Sequence, residues 1–351
     1  MYPLLKKYFN TIKGFIPAKA ESTSVGVDIG TGECKLVEIK KSGDGFELLN
    51  WAVEPVIGGN VKSAIQKSFE QLAAVPTKIY TSVFGKGTLI RYIDMPRMSL
   101  DDLKGSFGIE ADKYFPFTQD QIYTDCYILD GEGKGKQMSV MAAAAKRELI
   151  DERLKLLTDL NVQTEFIGVD PIALANVLNV LGFGQDGKKE KNVALLDMGD
   201  LVSNLTILVN GQPRFTRDIF IGGRDFTKRI GNARGISMED AEKLKSNSGE
   251  KEKEIIDICE SPLSNIVQEL RLSFDYFSTE KNNEINELLL TGGGSLLSGL
   301  IAAFEEQLEI NTNKWNPMTT LTLSSSIDKE KLNAASSKLG VALGLALYEY
   351  D

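Results

Sequence analysis

Histidine is absent from all 351 residues. Every mechanism that needs an imidazole base goes with it, as does the commonest protein ligand of zinc. Cysteine is scarce: Cys34, Cys126 and Cys259 are far apart and odd in number, which predicts no disulfide framework and a reducing compartment. No apolar run reaches the ~18 residues of a membrane span. Basic residues are outnumbered, 40 Lys and Arg against 49 Asp and Glu. The resulting net charge of −9 argues against a nucleic-acid binder, although it leaves room for a local basic patch. Together these absences predict a cytoplasmic protein. What is present is an ordinary globular mixture, 42% apolar and 25% charged, with length for two lobes that each own a core.

Residues 25 to 35, Val-Gly-Val-Asp-Ile-Gly-Thr-Gly-Glu-Cys-Lys, read as a short apolar strand running into an acid and then into a turn with two glycines. Gly30 and Gly32 let the backbone bend tightly and approach a bound anion. Asp28 cannot contact a phosphate favourably, since both are negative. It suits a hydrated Mg²⁺ lying between them, and Lys35 on the next strand adds positive charge. A plain hairpin gives the same fragment. The pattern returns, however. Asn192 to Leu196 is an apolar strand ending in Asp197-Met198-Gly199-Asp200, followed by a strand at 202–209, an Asn210-Gly211 turn and a strand at 213–220. Two similar lobes, each offering an Asp-Gly turn to a shared cleft, would clamp a nucleotide's phosphates from both sides.

Residues 4 to 16 place Leu4, Leu5, Tyr8, Phe9, Ile12, Phe15 and Ile16 on one helical face, with Lys6, Lys7 and Lys13 elsewhere. Such a basic amphipathic helix lies on an anionic membrane or packs on its own domain or a partner. Strands at 24–29, 35–40, 46–54 and 78–84, with a helix at 61–73, predict one mixed sheet covered by helices. Residues 86 to about 162 read as an inserted unit: a strand to Pro96, a helix capped at Ser99 that stops before Pro116, strands at 122–129 and 138–144, and a helix over 146–160. Tyr114, Phe115 and Phe117 suit either that unit's core or the rim of a groove for an apolar peptide.

A strand at 162–168 then leads into a helix opened by Asp170-Pro171. Gly182 to Lys189 mimics a phosphate-binding loop, but Lys189 stands where Ser or Thr is required and a strand follows, so it reads as a charged linker. Ser237 caps a helix bearing Glu242 and Lys245, which alone read as a surface pair. Pro262 opens a helix to 280. Leu288-Leu289-Leu290 runs into Thr291-Gly292-Gly293-Gly294-Ser295, with a helix expected from Leu296 to Leu308. That order either aims a helix N-terminus at a ligand or makes a simple tight turn.

Taken together, Asp28-Ile-Gly30-Thr-Gly32, Val169-Asp170-Pro171, Leu196-Asp197-Met-Gly199, Thr291-Gly292-Gly293-Gly294 and Gly340-Val-Ala-Leu-Gly344 resemble five motifs of the actin/Hsp70/sugar-kinase superfamily. In order they are phosphate 1, connect 1, phosphate 2, adenosine and connect 2. Within that superfamily the chain is similar to the PilM branch, the actin-like proteins of type IV pilus machines. The similarity rests on Ile109 to Phe117, Phe220 to Phe226 and Lys35-Leu-Val-Glu38. The cell-division protein FtsA shares the subdomain inserted near residue 86 but carries a membrane-targeting helix after the last motif; a chain stopping at Asp351 favours PilM. The resemblance implies an α/β, actin-like (ribonuclease H-like, duplicated) two-lobed ATPase fold with an FtsA-type inserted 1C subdomain. An N-terminal amphipathic segment would span 1–20, the lobe I core 21–85, 163–185 and 335–351, and the insertion 86–162. The lobe II core would take 186–222 and 285–334, and a further subdomain 223–284.

The resemblance also implies ATP and Mg²⁺ as ligands. Gly30, Thr31, Gly32 and Lys35 would line the first phosphate turn, Gly199 and Asp200 the second, and Asp28 and Asp197 would hold the waters of the metal. Glu242 and Lys245 would flank ribose and adenine, with Gly223 a further contact, and Gly292, Gly293, Gly294 and Ser295 would cover the base. Asp170 stands where the superfamily has a water-orienting Gln or Glu. Its shorter side chain implies tight nucleotide binding with slow or no turnover.

PilM-like proteins hold the cytoplasmic tail of the inner-membrane protein PilN beside the inserted subdomain, so residues 86–130, with Phe115 and Phe117, are expected to wall that groove. The expectation is thus an ATP-binding scaffold at the inner face of the cytoplasmic membrane, attached through its partners and linked to pilus motor and platform proteins, with self-association left open. A filament-forming relative of FtsA or MreB is one alternative, which sedimentation with ATP would reveal. A sugar or acid kinase is another, but it needs an acceptor base and a polar pocket, and near the first turn only Asp28 answers.

Overall fold

The computed structural model describes residues 23–76, 78–130, 135–182, 192–281 and 284–350. The amphipathic segment at 1–20 and all but the first residue of the Gly182–Lys189 linker lie outside the described residues. The first meander forms as its apolar alternation dictates. β1 (Thr23–Ile29), β2 (Glu33–Ser42) and β3 (Gly45–Pro55) pair antiparallel in sequence order. After α1 (Val61–Phe69), whose first turn is capped by the Asn60 side chain on the Ser63 amide, β4 (Lys78–Val83) returns parallel to β1. Val27, Leu36 and Ile65 close the core between sheet and helix.

The insertion builds its own three-stranded sheet, ordered β5-β7-β6, from β5 (Thr88–Pro96), β6 (Ile122–Ile128) and β7 (Gln137–Lys146), with α2 (Leu100–Glu110) between the first two in sequence. Phe107 stacks on Tyr114 and meets Phe115 edge-on; Phe107 and Phe115 belong to the small core that includes Leu103, Met138 and Val140, and half-buried Tyr114 packs against it. Phe115 is therefore core rather than groove wall. Phe117 stays half-buried, with the Lys146 ammonium over its ring.

Sequence places the next helix, α3 (Arg147–Thr158), inside the insertion, and the structure corrects this. Leu157 is fully buried in the lobe I core with Ile79 and Val162, so the apolar stripe of α3 faces the larger sheet and the insertion closes near 146. β8 (Gln163–Val169) then lies beside β4 and leads into α4 (Asp170–Leu181), with Pro171 in its first turn.

The second lobe repeats the meander. β9 (Asn192–Met198), β10 (Ser203–Val209) and β11 (Gln212–Ile219) pair antiparallel, and the last hairpin turns on the left-handed residues Asn210 (φ 52°) and Gly211 (φ 82°). The outer subdomain consists of α5 (Gly223–Arg234), α6 (Met238–Ser246), α7 (Glu252–Ile258) and α8 (Glu260–Lys281). β12 (Glu287–Thr291) returns parallel to β9. Here the chain departs from expectation. Gly292 (φ 83°) opens a single tight helical turn, left-handed Gly299 (φ 79°) redirects the backbone, and α9 (Leu300–Leu308) begins only then. The glycines thus meet the cleft through a turn, not a helix N-terminus. β13 (Asn311–Lys314) completes a five-stranded sheet ordered β11-β10-β9-β12-β13.

Residues 317–334 move the expected boundary again. β14 (Thr322–Leu323) pairs parallel with β3, and Met318, Leu321 and Leu332, the last on α10 (Lys329–Ala335), fill the first lobe's core against Val37 and Ile39. The division expected at 334 therefore falls before Pro317. The lobe I sheet is six-stranded, ordered β14-β3-β2-β1-β4-β8. Its last helix, α11 (Gly340–Leu347), is buried along its whole length. Glycine permits that depth, because a Cβ at Gly344 would collide with the Ala173 carbonyl of α4.

Candidate functional site

The two meanders present their turns to one cleft of about 560 Å³. In the first lobe Asp28 stands directly across from Lys35, and their side chains form an ion pair at 3.1 Å, 8% and 16% exposed. Burial alone would lower the Lys35 ammonium, but Asp28, with Glu33 behind it, outweighs burial and holds it above the ordinary lysine value. The Gly30 amide donates to the Glu33 carbonyl at 3.1 Å and closes the turn. A Cβ on Gly30 would lie 3.0 Å from the Lys35 ammonium, so glycine keeps that cation open to the cleft.

In the second lobe Asp197 stands across from Asn204, not from a lysine. Burial, and then the charge of Asp28, push the Asp197 carboxyl up to about 7, with Lys35 pulling the other way. Asn204 is buried, and its Oδ1 has no hydrogen-bond partner. Asp170, at the start of α4, is buried too, with its own Oδ1 unpartnered. Burial, then Asp28, raise it well above the usual carboxylate range against the opposing Ser82 hydroxyl. Arg153 of α3 reaches the same acids from behind. Its guanidinium donates to the Ile29 carbonyl at 3.2 Å and is pushed below its ordinary value by burial, with Asp170 and Asp28 opposing.

The second turn is fixed from below. The Gly223 amide donates to the Gly199 carbonyl at 2.8 Å and the Arg224 amide to the Asp200 carbonyl at 2.9 Å, so the first amides of α5 are spent inside the protein. Lys245 is buried, bonded to Glu242 at 2.7 Å and to the Thr227 hydroxyl at 3.2 Å. A Cβ on Gly223 would lie 3.2 Å from its ammonium. Across the cleft floor, the Ser337 carbonyl accepts both the Gly292 amide at 2.7 Å and the Thr291 hydroxyl at 2.8 Å. A side chain at Gly292 would strike the Asp197 carboxylate.

Of the residues expected to hold a ligand, all but Ser295 line this cleft. Ser295 is buried and donates its hydroxyl to the Gly292 carbonyl at 2.7 Å, so it braces the turn from behind. Sequence reading missed Asn204, Arg153, Arg224 and the Glu33–Lys338 ion pair, which closes at 2.5 Å. Only Asn204 carried a signal: it occupies, relative to Asp197, the rung that Lys35 occupies relative to Asp28.

Among the described residues, no three Asp, Glu, His or Cys side chains converge to hold a metal ion directly. Two unpartnered buried oxygens, a lysine ammonium and side-chain-free backbone nevertheless suit a hydrated divalent cation that carries phosphate. No described helix is long and apolar enough to cross a membrane.

Comparison with known proteins agrees with this geometry. Among solved structures, a PilM–PilN type IV pilus biogenesis complex superposes with a TM-score of 0.82 at 25% identity, covering 94% of this chain and 99% of that one. The ethanolamine utilization protein EutJ from Carboxydothermus hydrogenoformans follows the path more loosely, with a TM-score of 0.51 at 14% identity over 93% of this chain and 90% of that one. That likeness concerns the fold alone. Residues 26–350 match the family model described as type IV pilus assembly protein PilM. With two equivalent meanders facing one cleft and that match running through both, the chain belongs to the PilM family of actin-like type IV pilus assembly proteins.

Proposed function

We propose that this protein is an ATP- and Mg²⁺-binding scaffold of a type IV pilus assembly machine, and that it takes up the cytoplasmic tail of a PilN-like inner-membrane protein. The likeness to a PilM–PilN complex over nearly the full length of both chains carries this reading. Bound Mg-ATP supplies a charged bridge between the lobes. Lys35, Thr31 and Gly32 meet its phosphates from the first lobe and Gly199 from the second. Asp28 and Asp197 take the waters of the metal. Gly292, Gly293 and Gly294 cover the base, with Gly223, Glu242 and Lys245 along the ribose side. Asp170 would reach an attacking water only poorly, which suits slow or no turnover. The tail lies beside the inserted sheet, within the wall made by residues 86–130. With Phe115 taken into the core, Phe117 is its aromatic anchor. The protein works at the inner face of the membrane through this tail and passes the contact on to motor and platform proteins.

The test is calorimetry with a PilN tail peptide and with Mg-ATP. Phe117→Asp is expected to abolish peptide binding while ATP affinity, the control for folding, stays unchanged. Unaltered peptide affinity removes Phe117 from the groove, and a wild-type chain that ignores the peptide sinks the scaffold reading.

A further inference from the structure

The Asp200 side chain does something that an acid on a phosphate-facing turn is not obliged to do. It reaches from the second lobe across to the first, where the Thr31 hydroxyl donates to its Oδ2 at 3.1 Å. Behind it the Arg224 guanidinium closes a fork: Nε donates to Oδ1 at 3.1 Å and Nη2 to Oδ2. The carboxylate also lies against Gly32, where an added Cβ would sit 3.0 Å from the Asp200 Cγ. A hydroxyl, a guanidinium fork and a glycine without a side chain, shared between the two Asp-Gly turns, form a cradle for an anion. Arginine's planar fork accepts a carboxylate or a phosphate with the same geometry.

We infer that Asp200 is an internal anion competing with the terminal phosphate of a nucleoside triphosphate for Thr31 and Arg224, which makes the Asp200–Arg224 pair the discriminator between tri- and diphosphate. This rests on the reading of the cleft as a nucleotide site. The cradle belongs to both turns at once, so only a phosphate that spans them displaces the carboxylate. A diphosphate held by one turn leaves the pair closed. The backbone does not have to move, because the Gly199 and Asp200 carbonyls are already tied to the first amides of α5. The side chains are able to move: Arg224 and Asp200 are 37% and 26% exposed, whereas the Lys35–Asp28 pair is 16% and 8% exposed. Release of Asp200 also opens its bond to Thr31, so arrival of the triphosphate exchanges an intramolecular tie between the lobes for one through the ligand.

The experiment is calorimetric titration of the full chain with Mg-ATP and with Mg-ADP, for wild type, Asp200→Asn, Arg224→Ala and Arg224→Lys. Removing the competing charge in Asp200→Asn is expected to tighten ATP by about tenfold, the scale of one close charge pair, with a much smaller change for ADP. Arg224→Ala is expected to weaken ATP by about tenfold and ADP little, and Arg224→Lys, which keeps the charge and loses the fork, to fall between. A urea midpoint like that of wild type shows that each variant is folded. Equal shifts for both nucleotides, or weaker ATP binding by Asp200→Asn, overturn the inference and leave the nucleotide reading intact. ATP binding by Asp200→Asn but not by wild type supports the competition. Failure of wild type and Asp200→Asn alike to bind either nucleotide overturns the cleft reading and this inference with it.

Discussion

The equivalent rung of the two lobes reads Asp28, Lys35, Val53 in the first and Asp197, Asn204, Asp218 in the second. One backbone, built twice, carries two electrostatic settings. Opposite a lysine, the acid is held in a nearly buried ion pair. Opposite an asparagine, burial leads in pushing the acid up to about 7, and Asp218, one strand further, is raised to about 6 by burial alone. The repeated turn decides where each carboxylate sits, but only Asp28 meets a cation across its rung, and Asp197 is raised by burial and by Asp28 itself. The first-lobe acid therefore has its own cation, whereas the second lobe's Lys245 and Arg224 are paired with Glu242 and Asp200 instead of Asp197.

The severest way to break this contrast is Lys35→Asn, which gives the first rung the second rung's partner. Removing one member of a nearly buried pair is expected to cost about 3–5 kcal/mol of unfolding free energy in urea and to abolish Mg-ATP binding. A urea midpoint like that of wild type would sever the link between rung and stability. The reverse exchange, Asn204→Lys, supplies Asp197 with a resident cation. ATP affinity is then expected to depend on Mg²⁺ about tenfold less than in wild type, the effect of roughly 1.4 kcal/mol. Titrations with and without the metal read this directly, and an identical metal dependence in both proteins would show that the rung does not set the charge.

The smallest expected effect belongs to Asp218. Its folded value of about 6 lies above the ordinary 3.8, so the folded state binds this proton more tightly than the unfolded chain does. Its contribution to stability is therefore full below the ordinary value and is lost as pH rises through about 6. For a half-buried group the loss is about 1 kcal/mol, discounted for solvent screening. Asp218→Asn is expected to flatten the change in urea midpoint between acid and neutral pH by that amount. If wild type and variant keep the same slope, Asp218 is not the group responsible.

Much of this architecture was legible because its determinants are local. Asn210-Gly211 specifies a hairpin through two left-handed residues, and Ser99 and Ser237 each accept the amide that a helix start leaves over. Packing partners were not legible. The stripe of α3 says that Leu157 is buried without saying against which sheet, and Met318, Leu321 and Leu332 could have filled either lobe. The apolar run after Ser295 has the look of a helix start, yet left-handed Gly299 postpones α9. In the site, the motif glycines and acids could be read from the repeat. Asn204 becomes visible only when the two repeats are laid on each other strand by strand, and the reach of Asp200 to Thr31 depends on how the lobes meet.

The Ser337 carbonyl, which takes the Gly292 amide and the Thr291 hydroxyl together, limits how the halves can move. Two donors converging on one oxygen make a pivot: rotation about that atom keeps both bonds at length, whereas sliding would stretch both at once. Beside that pivot a buried apolar core joins Leu174, Leu178 and Leu345 of one half to Leu195 and Leu289 of the other.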